Sequence, residues 1–144
     1  MIRSGRSGIL SELMSEENLQ VVRTAFDAYF RGDVPAMLEL VDPSVIVTQL
    51  PDQPDPQTFH GRDGLLRGMA EWIGEWDDYS IEVRQMRDFD DRVLVSCVQR
   101  GRGKGSGIQV EADVYFLFTL RAGMLVRWQM FQSEQQALDA AGAA

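Results

Sequence analysis

Hydrophobic and polar residues alternate with two different periods along this chain of 144 residues. Between Leu19 and Phe30, and again between Leu65 and Trp76, apolar residues recur every three or four positions, which predicts amphipathic helices. From Tyr79 onward the period is two, which predicts strands. The pattern therefore places helices first and a run of antiparallel strands last, which is typical of an α+β domain.

The clearest strand signal is the segment from Gln109 to Gln132. It consists of two long apolar stretches joined at Arg121-Ala122-Gly123, where glycine favours a tight turn. We therefore expect a long β-hairpin onto which the remaining elements pack.

Both faces of the first strand in this hairpin are apolar. Val114, Phe116 and Phe118 share one face, which we expect to cover a core or pocket beneath the helices. Tyr115 and Leu117 lie on the opposite face. Because a sheet that is apolar on both sides is not half-solvated, we expect this outer face to meet a second copy of the chain.

Local signals predict where the elements before the hairpin begin and end. Ser15 is a good N-cap for the first helix, and Gly32 supplies its C-terminal stop. Asp33 is expected to cap a short second helix that Asp42-Pro43 ends. Residues 44–50 are rich in β-branched side chains and therefore predict a strand.

A proline-rich stretch separates this strand from the third helix. Residues 51–60 contain three prolines, so we expect a loop rather than a helix or a central strand. In the strand after the third helix, Met86 falls among the polar positions, which predicts a bulge or a twist in a long strand. Ser133 is expected to cap a last short helix, and the predicted order is α-α-β-α-β-β-β-β-α.

The length of the chain suits one domain with a sizeable core, which we assign to residues 15–141. Residues 1–14 contain two arginines and no apolar h-region, so they do not resemble a secretory signal. We expect them to form a flexible N-terminal leader, because chain ends are poorly ordered unless they are tied down.

Composition narrows the classes of partner. With 14 basic and 22 acidic residues the formal net charge is −8, which argues against a nucleic-acid partner. No apolar run approaches the roughly 20 residues that span a bilayer, so we expect no membrane partner.

The single cysteine, Cys97, excludes an intramolecular disulfide and fits a reducing cytoplasm. One histidine and scattered carboxylates give no metal-ligand spacing, and we expect neither a metal nor a cofactor.

Four short motifs together resemble one known family. They are Val22-Arg-x-Ala-Phe26 with Tyr29 and Arg31-Gly32-Asp33, Leu38-x-Leu40-x-x-Pro43, His60-Gly61-Arg62-Asp63-Gly64, and Arg121-x-Gly123-x-Leu125-Val126-x-Trp128. In this order and spacing, over residues 16–138, the chain resembles the SnoaL-like branch of the nuclear transport factor 2-like superfamily, which includes ketosteroid isomerase and limonene epoxide hydrolase.

The resemblance implies a cone-shaped α+β fold. A curved mixed or antiparallel sheet would wrap around a long N-terminal helix, with two further helices and a short C-terminal helix, and would enclose an apolar pocket. The resemblance also implies a homodimer through the outer sheet face. Members of the superfamily include isomerases, cyclases, hydrolases and dehydratases, so the fold by itself does not identify a function.

Six positions that match catalytic positions of relatives hold no carboxylate or phenol here. Three of them match catalytic positions of ketosteroid isomerase: Gln49, Ala25 and Phe116. The other three match those of limonene epoxide hydrolase: Cys97, Gln99 and Met130. Because an amide does not exchange a proton near neutral pH, the resemblance does not carry either mechanism over to this chain.

Three residues are considered further as candidates for chemistry. Asp113 is the carboxylate well inside the fourth strand, and its parity favours the outer face over the cavity. His60 is either a general base or a residue that packs against or caps the third helix. Cys97 is interpreted as a small buried group rather than a nucleophile, because burial raises the pKa of a thiol.

We expect a small, mainly apolar molecule to bind in the cone cavity, where a few polar groups would orient it. The predicted ligand-binding residues are Tyr29, Gln49, Trp72, Cys97, Gln99, Phe116, Trp128 and Met130. One interpretation is an isomerase, cyclase or hydrolase/dehydratase that works by orientation and hydrogen-bond polarisation without a carboxylate base. The other is a non-catalytic ligand-binding or structural dimeric module, and a cavity lined only by amides and apolar groups would favour a binder.

Overall fold

The computed structural model describes residues 5–50 and 54–142, with side chains from Leu13 onward. Four helices and six strands lie in these ranges, and in chain order they are α1 (Gly5–Phe30), α2 (Val34–Leu38), β1 (Val41–Gln49), β2 (Gln57–His60), α3 (Gly61–Ile73), β3 (Trp76–Phe89), β4 (Arg92–Gly103), β5 (Gln109–Arg121), β6 (Met124–Phe131) and α4 (Glu134–Ala141). The predicted α+β class is confirmed, with a long N-terminal helix, an open mixed sheet and a short C-terminal helix.

The six strands form one sheet in the order β2-β1-β6-β5-β4-β3. The β1–β6 pair is parallel, and the other neighbouring pairs are antiparallel. The parallel pair sets Gln49 beside Met130, although the two residues lie far apart in the sequence. The sheet thereby brings the end of β1 to the wall formed by β6.

The expected hairpin is present as β5 and β6. Arg121 pairs with Met124, so only Ala122 and Gly123 form the turn. Both turn residues have positive φ, 53° and 77°, which is the backbone that a type I′ turn requires. The turn matches the right-handed twist of its strands, and the prediction from glycine is confirmed.

The bulge expected near Met86 is also confirmed. The pairing of β3 with β4 shifts register between Val83 and Gln85. After the shift, Met86 pairs with Val95 and packs against the core. One extra residue therefore returns an apolar side chain to the inner face of the sheet.

The predicted start of the first helix is wrong. Helix α1 already begins at Gly5, so Ser15 lies inside it, where it is 8% exposed and does not act as an N-cap. Gly32, with φ of 76°, follows the end of α1 as predicted. The flexible leader assigned to residues 1–14 stays a prediction, and residues 1–4 lie outside the described part of the chain. Among the described helices, none is long and apolar enough to cross a membrane.

Two other boundaries differ from the predictions. Helix α2 ends at Leu38, and Asp42-Pro43 lies inside β1, where the register against β6 shifts between Val41 and Ile46. A strand tolerates proline at such an irregularity, because the missing N–H does not interrupt a regular ladder. Residues 57–60, predicted as loop, form the edge strand β2, which begins after the last proline and is held by the buried side chain of Phe59.

The main core lies between the inner face of the sheet and helices α1, α2 and α3. A smaller cluster lies on the outer face, where α4 covers Leu94, Leu117 and Phe131. We expected a second copy of the chain to cover this face, and for Leu117 that expectation is wrong, because α4 of the same chain covers it together with Leu94. Dimer formation through the rest of the face stays a prediction.

Candidate functional site

A cavity of about 100 Å³ lies between helices α1 and α3 and the inner face of the sheet. Its lining consists of apolar and aromatic side chains with one amide; the residues are Val22, Ala25, Phe26, Tyr29, Met37, Val41, Gln49, Leu65, Met69, Trp72, Ile73, Tyr79, Ile81, Phe116, Phe118, Leu125, Trp128 and Met130. None of these lining residues carries a charge, so the site is neutral.

Helix α1 supplies one side of the cavity through residues at helical spacing. Val22, Ala25, Phe26 and Tyr29 are separated by three, one and three positions and form a single stripe. The ring of Phe26 lies edge-on to Phe118, with a centroid distance of 6.0 Å. The stripe that the sequence predicts as core is therefore also a cavity wall.

Helix α3 forms a second side and approaches the sheet closely. Gly64 and Gly68 are buried one turn apart and face Phe59 of β2. A Cβ added at Gly68 would lie 2.9 Å from Phe59 Cδ2, closer than a real contact allows. The two glycines thus let α3 lie low over β2 and turn Met69 and Trp72 toward the cavity.

Strands β5 and β6 form the floor. Phe116 pairs with Met130 and Phe118 pairs with Trp128 across the two strands. Trp128 lies perpendicular to Phe116 with ring centroids 5.2 Å apart, and it stacks on Phe118 at 5.7 Å. Its indole N–H is buried and has no hydrogen-bond partner among the described residues. The floor is consequently aromatic and closely packed.

A buried amide organises the polar groups at the β3–β4 side. Gln99 is 4% exposed, and its Oε1 accepts hydrogen bonds of 3.0 Å from both Trp72 Nε1 and the Tyr79 hydroxyl. An indole N–H only donates, so the atom of Gln99 that faces it must be the oxygen. Burial raises the pKa of Tyr79 to about 12, which keeps its phenol protonated at neutral pH.

Two polar side chains of the lining retain hydrogen-bonding capacity. Gln49 Nε2 donates a 3.0 Å hydrogen bond to the carbonyl oxygen of Gly68, and the amide oxygen is left over. Tyr29 is half-buried, and burial raises the pKa of its phenol. The cavity therefore offers a neutral acceptor from Gln49 and a neutral phenol from Tyr29.

The structure brings together six of the eight predicted site residues around the cavity: Tyr29, Gln49, Trp72, Phe116, Trp128 and Met130. Gln99 lies behind the lining, where it holds Trp72 and Tyr79. Cys97 is buried in the main core, and burial raises the pKa of its thiol to about 12. The ligand-binding role of all eight residues stays a prediction.

Sequence reasoning missed several lining residues, of which Tyr79 is the most informative. Its parity along β3 is that of Ile81, so its inward direction was visible in the alternation. Its bond to Gln99 was not visible, because the two residues lie on different strands whose register only the folded sheet defines.

Asp113 and His60 both lie away from the cavity. Asp113 is exposed on the outer face of β5, opposite Val98, in agreement with its parity. His60 is exposed and lies at the N-cap position of α3, but its side chain makes no capping hydrogen bond. Within residues 13–50 and 54–142, no group of three or more potential metal ligands comes together.

This arrangement suits a neutral guest. Moving an unpaired charge from water into an apolar site costs many kcal/mol, and the lining carries no opposite charge to offset that cost. A neutral apolar molecule instead gains free energy from the surface it removes from water. The chemistry that the lining supports is binding and orientation by neutral hydrogen bonds.

Comparison with known proteins agrees with this fold. Residues 22–128 match the SnoaL-like domain family, and this range contains the four sequence motifs. No curated protein is similar enough to count as a match.

Solved structures with the same fold are distant in sequence. An NTF2-like protein from Burkholderia thailandensis E264 is 24% identical with a TM-score of 0.71, over 87% of this chain and 96% of that one. A protein from Jannaschia sp. CCS1, assigned provisionally to the SnoaL-like polyketide cyclases, is 19% identical with a TM-score of 0.72, over 100% and 99%. A protein with a ketosteroid isomerase-like fold from Catenulispora acidiphila DSM 44928, in complex with trimethylamine, is 16% identical with a TM-score of 0.64, over 85% and 92%.

Proposed function

This chain belongs to the SnoaL-like domain family, and from that premise we propose that it binds a small, neutral, mainly apolar molecule in its cavity. The observation that carries the proposal is the lining, which is apolar and aromatic with a single amide and no charged side chain. The complex of a structural relative with trimethylamine supports a compact ligand.

The size of the cavity supports the same conclusion. An engineered apolar cavity of about 150 Å³ stays dry and binds benzene. The present cavity, at about 100 Å³, is smaller and suits a molecule no larger than benzene. Because the lining offers few hydrogen-bond partners to water, water competes weakly with an apolar guest for this site.

The lining favours binding over acid–base catalysis. A general base needs a pKa near the working pH, and among the described lining residues the titratable groups are phenols. Burial raises the pKa of Tyr29 and of Tyr79, the latter to about 12, so neither is a base at neutral pH. The interpretation as an isomerase, cyclase or hydrolase/dehydratase would therefore require catalysis by orientation and hydrogen-bond polarisation alone.

Methionine methyl groups report directly on this proposal. Met37, Met69 and Met130 line the cavity, whereas Met86 and Met124 do not. We expect titration with benzene and with furan to shift the ¹³C-methyl NMR signals of the first three and to leave those of the last two in place. If all five signals stay unchanged up to the solubility limit of both probes, the cavity does not bind such molecules.

A cavity-filling substitution supplies the matched control. Ala25 lines the cavity on α1, so Ala25→Met adds three heavy atoms to the empty space. We expect this variant to stay folded and to lose at least tenfold in affinity for benzene. Ala70→Met makes the same change on the exposed side of α3 and should bind benzene like the wild type. Equal affinities in both variants would place the benzene site elsewhere.

We also propose that the protein forms a homodimer through the outer sheet face beside α4. The proposal is supported by the apolar side chains on the outer faces of β4 and β5, where Ser96, Val98 and Tyr115 share this region. We expect sedimentation velocity at micromolar concentration to show a dimer that Ser96→Arg disrupts and that Thr24→Arg, on the exposed side of α1, does not. A wild-type monomer would contradict the dimer.

A cytoplasmic location is part of the proposal. It is supported by the single cysteine, which is buried and has no disulfide partner in this chain. Fractionation of the source cells with an antibody against the protein should place it in the cytoplasmic fraction; recovery from a membrane or secreted fraction would contradict this.

A further inference from the structure

Gln49 is the lining residue whose hydrogen-bonding direction is defined by its surroundings. The Gly68 carbonyl oxygen only accepts, so the atom of Gln49 that lies 3.0 Å from it must be the amide nitrogen. The amide oxygen then remains as an acceptor, and no described residue donates to it. One N–H of the Gln49 amide is used in this contact, and the amide oxygen is free to accept from a ligand.

The other amide near the cavity does not compete for this role. Gln99 Oε1 already accepts from Trp72 Nε1 and from the Tyr79 hydroxyl, each at 3.0 Å. The free donor of Trp128 is also out of reach, because its N–H is fully buried among the surrounding rings. Among the amide groups at the site, the oxygen of Gln49 is therefore the one left without a donor.

From these contacts we infer that the ligand carries a hydrogen-bond donor, a neutral O–H or N–H, on its apolar body, and that this donor binds Gln49 Oε1. A carbonyl, ether or carboxylate at the same place would face another acceptor and lose the hydrogen bond that it made in water. The inference rests on the proposed function and adds that the polar group of the ligand is a hydrogen-bond donor rather than an acceptor.

The position of Gln49 in the lining also disfavours a ligand that carries an acceptor in place of the donor. Gln49 is partly buried and lies beside Met130 of β6 in an otherwise apolar lining. Water relieves an acceptor–acceptor contact in a partly buried site less readily than on an open surface. A matched donor is consequently expected to discriminate more here than on an exposed surface.

Pyrrole and furan are the probes that test this inference. The two rings have nearly the same size and shape, but pyrrole presents an N–H donor where furan presents an oxygen. We expect pyrrole to bind the wild type about threefold to tenfold more tightly than furan, measured from the methyl signals of Met69 and Met130. The ratio of the two dissociation constants removes the contribution of ring burial that both probes share.

Two variants locate the effect. Gln49→Met keeps the side-chain length and removes the acceptor, so the preference for pyrrole should fall to about onefold. Gln132→Met makes the same change at an exposed position after β6 and should keep the wild-type ratio. If Gln49→Met does not fold, equal wild-type affinities for furan and pyrrole still overturn the assignment.

The outcomes separate the two proposals. If neither furan, benzene nor pyrrole shifts the cavity methyl signals, the proposed function itself is wrong. If furan binds as tightly as pyrrole, or if the preference for pyrrole survives in Gln49→Met, the cavity binds apolar molecules but the assignment of a donor to Gln49 is overturned.

Discussion

At the scale of single residues, Gln99 illustrates how a polar side chain is accommodated in this core. It is 4% exposed, and its oxygen satisfies two donors from different elements, Trp72 of α3 and Tyr79 of β3. Each donor would otherwise be buried without a partner, which costs about 1–3 kcal/mol. Gln99 therefore links the third helix to the edge of the sheet.

Removal of this acceptor should be costly. We expect Gln99→Met to lower the free energy of unfolding by about 2–4 kcal/mol, because two donors lose their partner at once. Urea denaturation measures the change. In the double variant with Tyr79→Phe one of the orphaned donors is gone, so the two effects should be less than additive. A loss below about 0.5 kcal/mol would show that water replaces the amide.

The buried thiol and phenol predict how stability depends on alkaline pH. Burial raises the pKa of Cys97 from 9.0 to about 12, and that of Tyr79 from 10.0 to about 12. The folded state therefore keeps protons that the unfolded state has lost, and the free energy of unfolding falls as pH rises from about 9 to about 12. Urea denaturation at pH 8, 9, 10 and 11 should show this decline. Cys97→Ala and Tyr79→Phe should each reduce it, and a flat profile would contradict the burial of these groups.

At the scale of elements, α3 depends on two glycines for its distance from β2. The buried ring of Phe59 occupies the space that side chains at Gly64 and Gly68 would need. The helix lies low enough for Gln49 of β1 to reach the carbonyl of Gly68. Close approach of the backbone is therefore what orients the polar group of the cavity.

The close contact predicts the sign of a glycine substitution. In Gly68→Ala the new Cβ would lie 2.9 Å from Phe59 Cδ2, and overpacking costs about 1–3 kcal/mol. A gain of up to about 1 kcal/mol in helix propensity offsets part of that cost. We expect a net loss of about 1 kcal/mol in urea denaturation. Phe59→Leu should relieve the clash, so that Gly68→Ala is less destabilising in the Phe59→Leu background than in the wild type.

The C-terminal helix is held on the outer face by apolar and polar contacts. Ser133 caps its first turn by accepting from the Gln136 N–H, and Arg92 Nη1 donates to the Ala140 carbonyl at 2.8 Å. Ala137 is fully buried against Leu94 and Leu117. The small side chain permits the helix to lie close to the sheet.

A buried charge between α4 and the sheet should destabilise the packing of this helix. We expect Ala137→Asp to lower the free energy of unfolding by about 3 kcal/mol, because the carboxylate would be buried without a partner. Gln136→Asp places the same charge on the exposed side of the helix and should change stability by less than about 0.5 kcal/mol. Equal losses would indicate that helix propensity, rather than burial, determines the effect.

At the scale of the whole molecule, burial is concentrated in the middle of the sheet. Strands β4 and β5 have apolar residues on both faces, covered by the main core on one side and by α4 on the other. Strand β2 is a short edge strand in which Phe59 alone is buried. Local stability should follow this gradient.

Amide hydrogen exchange measures that gradient. We expect the slowest amides at residues 93–97 and 114–118, with exchange near the global limit, and much faster exchange at residues 57–60. Comparable protection in β2 and β5 would contradict a stability centre in the central strands.

The sequence alone determined the α+β class, the hairpin and the Met86 bulge, which depend on local periods of two or 3.6 and on turn chemistry that neighbouring residues define by themselves. Six of the eight predicted site residues lie at the cavity, and they were predicted with the help of the family resemblance. The predictions from sequence were wrong for the start of α1, the boundary at Asp42-Pro43 and the edge strand β2. In the case of β2, four residues carry too short a pattern, and pairing with β1 overrides the nearby prolines.

Only the tertiary structure decided how the polar groups of the site are used. Gln49 and Gln99 are equivalent in type, but Gly68 leaves an acceptor free on the first, while Trp72 and Tyr79 occupy the acceptor of the second. It also showed that α4, rather than a partner, covers Leu94 and Leu117. The physical reason is common to these cases: a hydrogen bond or an apolar contact between distant segments depends on strand register and helix position, which no local pattern specifies.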